Sequence, residues 1–168
     1  MCGGGLYYSS QSFSKTASLF EASILAGAVS TGAPEEWIAA LAGYARNLGI
    51  AFQIKDDILD YAGDAALGKP VGIDLKEQKI TLPLLCALDS VPMEEASGVR
   101  ALVGRISDEP ALADRVRAFV LDHDGVEKAV AEMEKYIDVA VSCLDELSPS
   151  PEKPYLVELA RYVGERTF

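Results

Sequence analysis

Between Pro34 and Pro70 the sequence contains no proline, and its apolar residues recur with helical spacing, so a single long helix from about Pro34 to Tyr61 constrains the fold most. Pro34, Glu35 and Glu36 read as its start, a proline in the first turn with acids placed against the helix dipole. Upstream, from Ser14, KTASLFEASILAGAV has the same spacing with small residues that permit close packing, and STGAP separates the two helices. Downstream, GDAALGKPVGID reads as a loop because of its three glycines and one proline. LKEQKITLPLLCALDS, with Pro83 near its first turns, reads as the next helix, and VPMEEASGVRALVGRI as another. DEPALADRVRAFVLDHDG, VEKAVAEMEKYIDVAVSCLDEL and PYLVELARYVGERTF complete the series with short connections. No stretch alternates with period two and no repeat stands out, so the expected fold class is all-α.

At 168 residues the chain is long enough for one sizeable core and short for two. Lys+Arg number 15 against 26 Asp+Glu, a net charge of −11, which repels nucleic acid and anionic membrane surfaces. An anionic small-molecule substrate is repelled as well, so a site for one here needs local lysines and a cation. Cys2, Cys86 and Cys143 are too few and too widely spaced for a disulfide framework or a zinc site, which fits a reducing cytoplasm. The opening MCGGGLYYSSQ lacks the pattern of a secretory signal, and no apolar run reaches the ~18–20 residues that span a bilayer. His123, in LDHDG beside a helix-ending Gly125, reads as a solvated loop residue.

The chemistry concentrates in GIAFQIKDDILDYAGD. On a helix advancing about 100° per residue, Gln53, Asp56, Asp57 and Asp60 fall within roughly one 100° stripe, flanked by Phe52, Ile54, Ile58 and Leu59. Asp64 joins them if the helix persists past Gly63. Carboxylates spaced i, i+4 repel one another unless a cation holds them together. An oxygen-only donor set favours a hard ion such as Mg²⁺, which binds through one or two carboxylates plus phosphate oxygens and water. Geometry alone leaves a second reading open, an amphipathic helix whose acids face water.

Lysines gather around this stripe. Lys15 and Thr16 open the first helix, Lys69 sits in the glycine-rich loop, and Lys76 and Lys79 lie one helical turn apart beyond it. Lysine serves phosphate as a point charge, and glycine loops let a bound anion approach closely. Together they suggest a metal–diphosphate clamp.

FQIKDDILDYAGDAALGKPVGIDLKEQKITLPLL resembles the second aspartate-rich region of the trans-isoprenyl diphosphate synthases, with its FQ, DDxxD, GK, GxDL and KxTLP elements in order. KTASLF resembles the Lys-Thr element of that family, and DGVEKAVAEMEKYIDVA and YLVELARYVGER resemble its closing helices. The resemblance implies the C-terminal part of the isoprenoid synthase helical bundle, occupying residues 14–168 after a poorly ordered segment, 1–13. It implies that Asp56 and Asp60 hold Mg²⁺, with Asp57 binding through water or bonding to Lys69. Lys15, Lys69 and Lys79 then contact an allylic prenyl diphosphate, and Thr16 and Gln53 line its pocket. The implied reaction condenses that diphosphate with isopentenyl diphosphate.

The departures are equally specific. The family's first aspartate-rich motif and its upstream basic residues do not occur in this sequence, YYSSQSFS matches poorly, and Ser14 stands where glycine is common. The expectation is therefore half an active site, inactive alone, in a chain that forms a homodimer or pairs with one that supplies the other half. A noncatalytic partner subunit of a full-length synthase is the alternative, although a scaffold has no need of DDILD and Lys69. A terpene cyclase is a third, against which the all-acid DDxxD stands.

Overall fold

The computed structural model describes residues 16–62 and 72–167. Segment 1–13, Ser14, Lys15, Asp64, Lys69 and most of the expected glycine-rich loop lie outside the described residues. Eight α-helices and no strand occur among those described: α1 (Ser18–Ser30), α2 (Glu35–Ala62), α3 (Ile73–Lys76), α4 (Leu82–Leu88), α5 (Met93–Val103), α6 (Leu112–Asp122), α7 (Gly125–Cys143) and α8 (Lys153–Glu165). The all-α expectation holds.

The long helix α2 forms nearly where periodicity puts it. Pro34 stands just before its first turn, where its carbonyl accepts from Trp37 and Ile38 N–H at 3.0 Å each, and Glu35 and Glu36 occupy the positive end of the dipole.

LKEQKITLPLLCALDS, in contrast, is two helices rather than one. After α3 the chain turns at Gln78, whose φ of 57° is left-handed, while its side chain donates to Ser107 Oγ at 2.7 Å. Thr81 is extended, with φ −96° and ψ 169°, and α4 then begins with Pro83 in its first turn. Proline lacks an N–H and its ring clashes with the carbonyl four residues back, so it is tolerated where a helix starts and not where one continues. Lys76 and Lys79 consequently do not share a helix.

The chain divides into two compact units. In the unit holding Asp56–Ala131, helices α3, α4 and α5 all pack against α6. Helix α6 buries Leu112, Ala113, Val116 and Val120, an apolar stripe at helical spacing. Arg117 on the same helix donates through Nε and Nη2 to the Tyr61 carbonyl at 3.1 and 2.8 Å, satisfying an acceptor at the end of α2 that has no partner within its own helix. Gly125 opens α7 instead of ending α6. A Cβ there would lie 2.5 Å from the Pro83 carbonyl oxygen and 2.8 Å from Val120 Cγ1. His123 is half-buried, unlike the solvated loop residue expected, with Nδ1 2.8 Å from the Phe119 carbonyl and its ring 4.3 Å from that of Phe119.

The other unit holds residues 16–55 and Glu132–Arg166. Met133, Ile137, Ala140 and Leu144 are buried there at spacings of three and four, as are Tyr44, Ala45 and Leu48 of α2. The Tyr44 hydroxyl donates to the Leu156 carbonyl at 2.7 Å, and burial pushes its pKa up to about 12.

Gly125→Ala is expected to destabilise the chain by about 1–3 kcal/mol, because the backbone of Pro83 must shift to admit a methyl group; urea unfolding measures it. Tyr44 adds a pH dependence. Its raised pKa means that the folded state holds the proton that the unfolded chain releases near pH 10. The stabilisation is thus complete below pH 10 and lost as pH rises towards 12. Unfolding midpoints measured across that window should fall, and fall less in Tyr44→Phe.

Candidate diphosphate and metal site

The last turns of α2 do not present the four polar residues as one set. Gln53, Asp56 and Asp60 are partly exposed, whereas Asp57 is 3% exposed and belongs to the buried edge with Ile54, Ile58 and Tyr61. The arithmetic of 100° per residue places Asp57 at the margin of the stripe. Packing decides that this margin is inside.

Asp60 is tied to Gly72, Ile73 and Asp74. Its Oδ1 accepts from Ile73 N–H at 3.0 Å, its Oδ2 from Asp74 N–H at 3.2 Å, and its carbonyl from Gly72 N–H at 3.0 Å. Gly72 has φ 78°, a left-handed conformation that glycine adopts without a Cβ clash, and this aims those amides at Asp60. Burial raises the Asp60 pKa above its ordinary value, while the amides of Ile73, Asp74 and Gly72 pull it back. A nearby cation would favour the ionised form further. Asp57 Oδ2 accepts from Leu82 N–H at 3.4 Å, and the hydroxyls of Thr81 and Tyr61 meet at 3.4 Å.

In the other unit, Thr16 Oγ1 donates to Gln53 Oε1 at 3.0 Å, so two residues assigned to one pocket are in direct contact. Gly49 makes the approach possible, since a Cβ there would lie 2.5 Å from Ala17 Cα. Lys79 Nζ, expected to contact diphosphate, lies 2.6 Å from a Glu77 carboxylate oxygen and 2.9 Å from one of Asp74. Hydrogen bonds to Glu77 and Asp74 raise its pKa above the ordinary lysine value. Lys15 and Lys69 lie outside the described residues.

Two sets of side chains went unmarked by sequence reasoning. Arg117 and Thr81 hold the end of α2 through the contacts given above. Arg166 stacks 3.9 Å from the Phe52 ring centroid, donates to the Phe52 carbonyl at 3.0 Å, and Phe52 meets Phe20 at 5.4 Å. Phe20, Phe52 and Arg166 lie within the KTASLF, FQ and YLVELARYVGER elements and Thr81 within KxTLP, but those elements assigned them no role. For Arg117 there was no signal, since arginines on amphipathic segments are ordinarily solvated.

Among the described residues no group of three or more Asp, Glu, His or Cys converges as a metal site. The donors that fit a cation are Asp56 and Asp60, one turn apart on the open side of α2. All-oxygen donation through two carboxylates, with the remaining positions filled by water and phosphate, suits Mg²⁺.

Residues 6–120 match the family described as Polyprenyl synthetase. Heptaprenyl diphosphate synthase component 2 of Geobacillus stearothermophilus is 37% identical over 155 residues, which are 92% of this chain and 47% of that protein. Octaprenyl diphosphate synthase of Haemophilus influenzae is 37% identical over 157 residues, 93% of this chain and 47% of that protein. Among solved structures, polyprenyl synthase from Caulobacter crescentus, complexed with calcium and isoprenyl diphosphate, superposes with a TM-score of 0.86 at 34% identity. The match covers 98% of this chain and 50% of that one. The chain spans about half the length of the curated relatives it matches.

Asp60→Ala removes the acceptor for two backbone amides and is expected to cost about 1–3 kcal/mol in urea unfolding. An unchanged midpoint would mean that water replaces the carboxylate without loss.

Proposed function

The chain belongs to the polyprenyl synthetase family, and from that membership we propose that it carries the allylic-diphosphate half of a magnesium-dependent trans-prenyltransferase. Its fold is the all-α isoprenoid synthase bundle of its structural relatives. The observation that carries the reading is the pair Asp56 and Asp60, one turn apart and partly open, beside the DDxxD, GxDL and KxTLP elements in family order.

Asp56 and Asp60 hold the Mg²⁺ ion, and Asp57 belongs to the layer behind them, acting through water or Lys69. When bound, Mg²⁺ supplies Lewis-acid and electrostatic stabilisation of leaving-group charge. Lys15, Lys69 and Lys79 offset the charge of the allylic diphosphate as its carbon–oxygen bond breaks, Lys79 by leaving Glu77 and Asp74. Thr16 and Gln53 orient the diphosphate. The double bond of isopentenyl diphosphate attacks the allylic cation, and a proton then leaves, taken up by the released diphosphate.

This sequence has one aspartate-rich motif, so residues 14–168 are proposed as the C-terminal half of a synthetase domain, inactive alone. Activity then requires a chain that supplies the first motif, whether this chain otherwise pairs with itself as a homodimer or with that half. A cytoplasmic location completes the proposal; no helix among the described residues is long and apolar enough to cross a membrane. The second reading, a noncatalytic subunit beside a full-length synthase, draws on α1, which is mostly apolar and leaves Leu19 66% and Val29 61% exposed. It also draws on the relative named as component 2 of a heptaprenyl diphosphate synthase.

Radiolabelled isopentenyl diphosphate, an allylic diphosphate and Mg²⁺ should give product only when a full-length synthase or a first-motif half is added. Product from this chain alone would overturn the half-site assignment. Asp56→Ala is expected to abolish Mg²⁺-dependent binding of the allylic diphosphate in calorimetry, and unchanged binding would rule the clamp out.

A further inference from the structure

The two adjacent aspartates of the motif point to different tasks. Asp56 and Asp60 lie on the open side of α2, but Asp57 and Tyr61, spaced i, i+4, form a second pair on its buried edge. That pair meets two successive residues of the KxTLP segment. Thr81 holds the N-cap position of α4 without capping it, its hydroxyl meeting Tyr61 instead, and Asp57 takes the N–H of Leu82. On the same turn Arg117 of α6 clasps the Tyr61 carbonyl with two donors. Three ties from two other elements thus converge on residues 57–61.

Such ties oppose rotation of α2 about its own axis. At about 5 Å from that axis, a roll of 20° displaces a carboxylate by roughly 2 Å. Mg²⁺ demands near-octahedral geometry with ligands at about 2.0–2.1 Å, so a displacement of that size forfeits the ion. We propose that Asp57 is a positioning residue: its buried contact with the Leu82 amide locks the roll of α2 and thereby aims Asp56 and Asp60, without ligating the metal itself. Its use in metal binding rests on the function proposed above; the lock does not.

The test compares Asp57→Ala with Asp57→Asn, which keeps an acceptor oxygen of the same shape, in the full chain. Exchange of the Leu82 amide is followed by NMR, and Mg²⁺ binding by calorimetry with inorganic diphosphate present. Asp57→Ala is expected to speed Leu82 exchange at least tenfold and weaken Mg²⁺ binding at least tenfold. Asp57→Asn should restore both to within about threefold of the unaltered chain. If Asp57→Ala does not fold, Tyr61→Phe takes its place, with two- to threefold effects expected on both measurements.

Unchanged Leu82 exchange in Asp57→Ala, or in Tyr61→Phe where that variant stands in, would overturn the lock. So would an Asp57→Asn variant that loses Mg²⁺ tenfold while Leu82 stays protected, since that is how a ligand behaves. If the unaltered chain binds no Mg²⁺ with diphosphate, the functional reading fails instead, and Leu82 exchange alone decides the lock.

Discussion

A buried carboxylate with a backbone amide for a partner organises the unit that holds Asp56–Ala131. Taking a charged group out of water is costly unless hydrogen bonds replace the lost hydration, so Asp57 constrains whatever packs over it to present donors. The start of α4 can do so because its first amide has no partner within its own helix. Pro83 matters for the same reason. By forcing a helix start at this point, it exposes the Leu82 N–H that a continuous helix would have consumed.

The same logic runs through the neighbouring contacts. Asp60 gathers the amides of Gly72, Ile73 and Asp74, and Arg117 covers a carbonyl at the other end of the orphan-group problem, the C-terminal turn of α2. Polar side chains at this helix end are therefore both chemical candidates and structural fasteners. A carboxylate held by backbone amides arrives at a cation already oriented, which lowers the ordering cost of binding.

Much of the architecture was legible beforehand. The long helix, the STGAP break and the helices from Met93 onward follow apolar periodicity and proline placement, both of which act locally. The failures share a cause. LKEQKITLPLLCALDS has helical composition throughout, and only the left-handed Gln78 and the tertiary anchors of the turn divide it. Gly125 reads as a helix end by composition, yet it begins a helix because the Pro83 carbonyl occupies the space of its Cβ.

By itself the sequence determined an all-α chain and the family to which it belongs, together with the residue types of the proposed diphosphate site, because spacing along one helix and the order of short motifs are properties of the chain. Tertiary structure alone decided which carboxylates are open and which is buried. Asp57 lies about 60° around the helix from Asp60 and about 100° from Asp56, and only the contacts that α4 and α6 make with Asp57 and Tyr61 decide that its side of the stripe is the buried one.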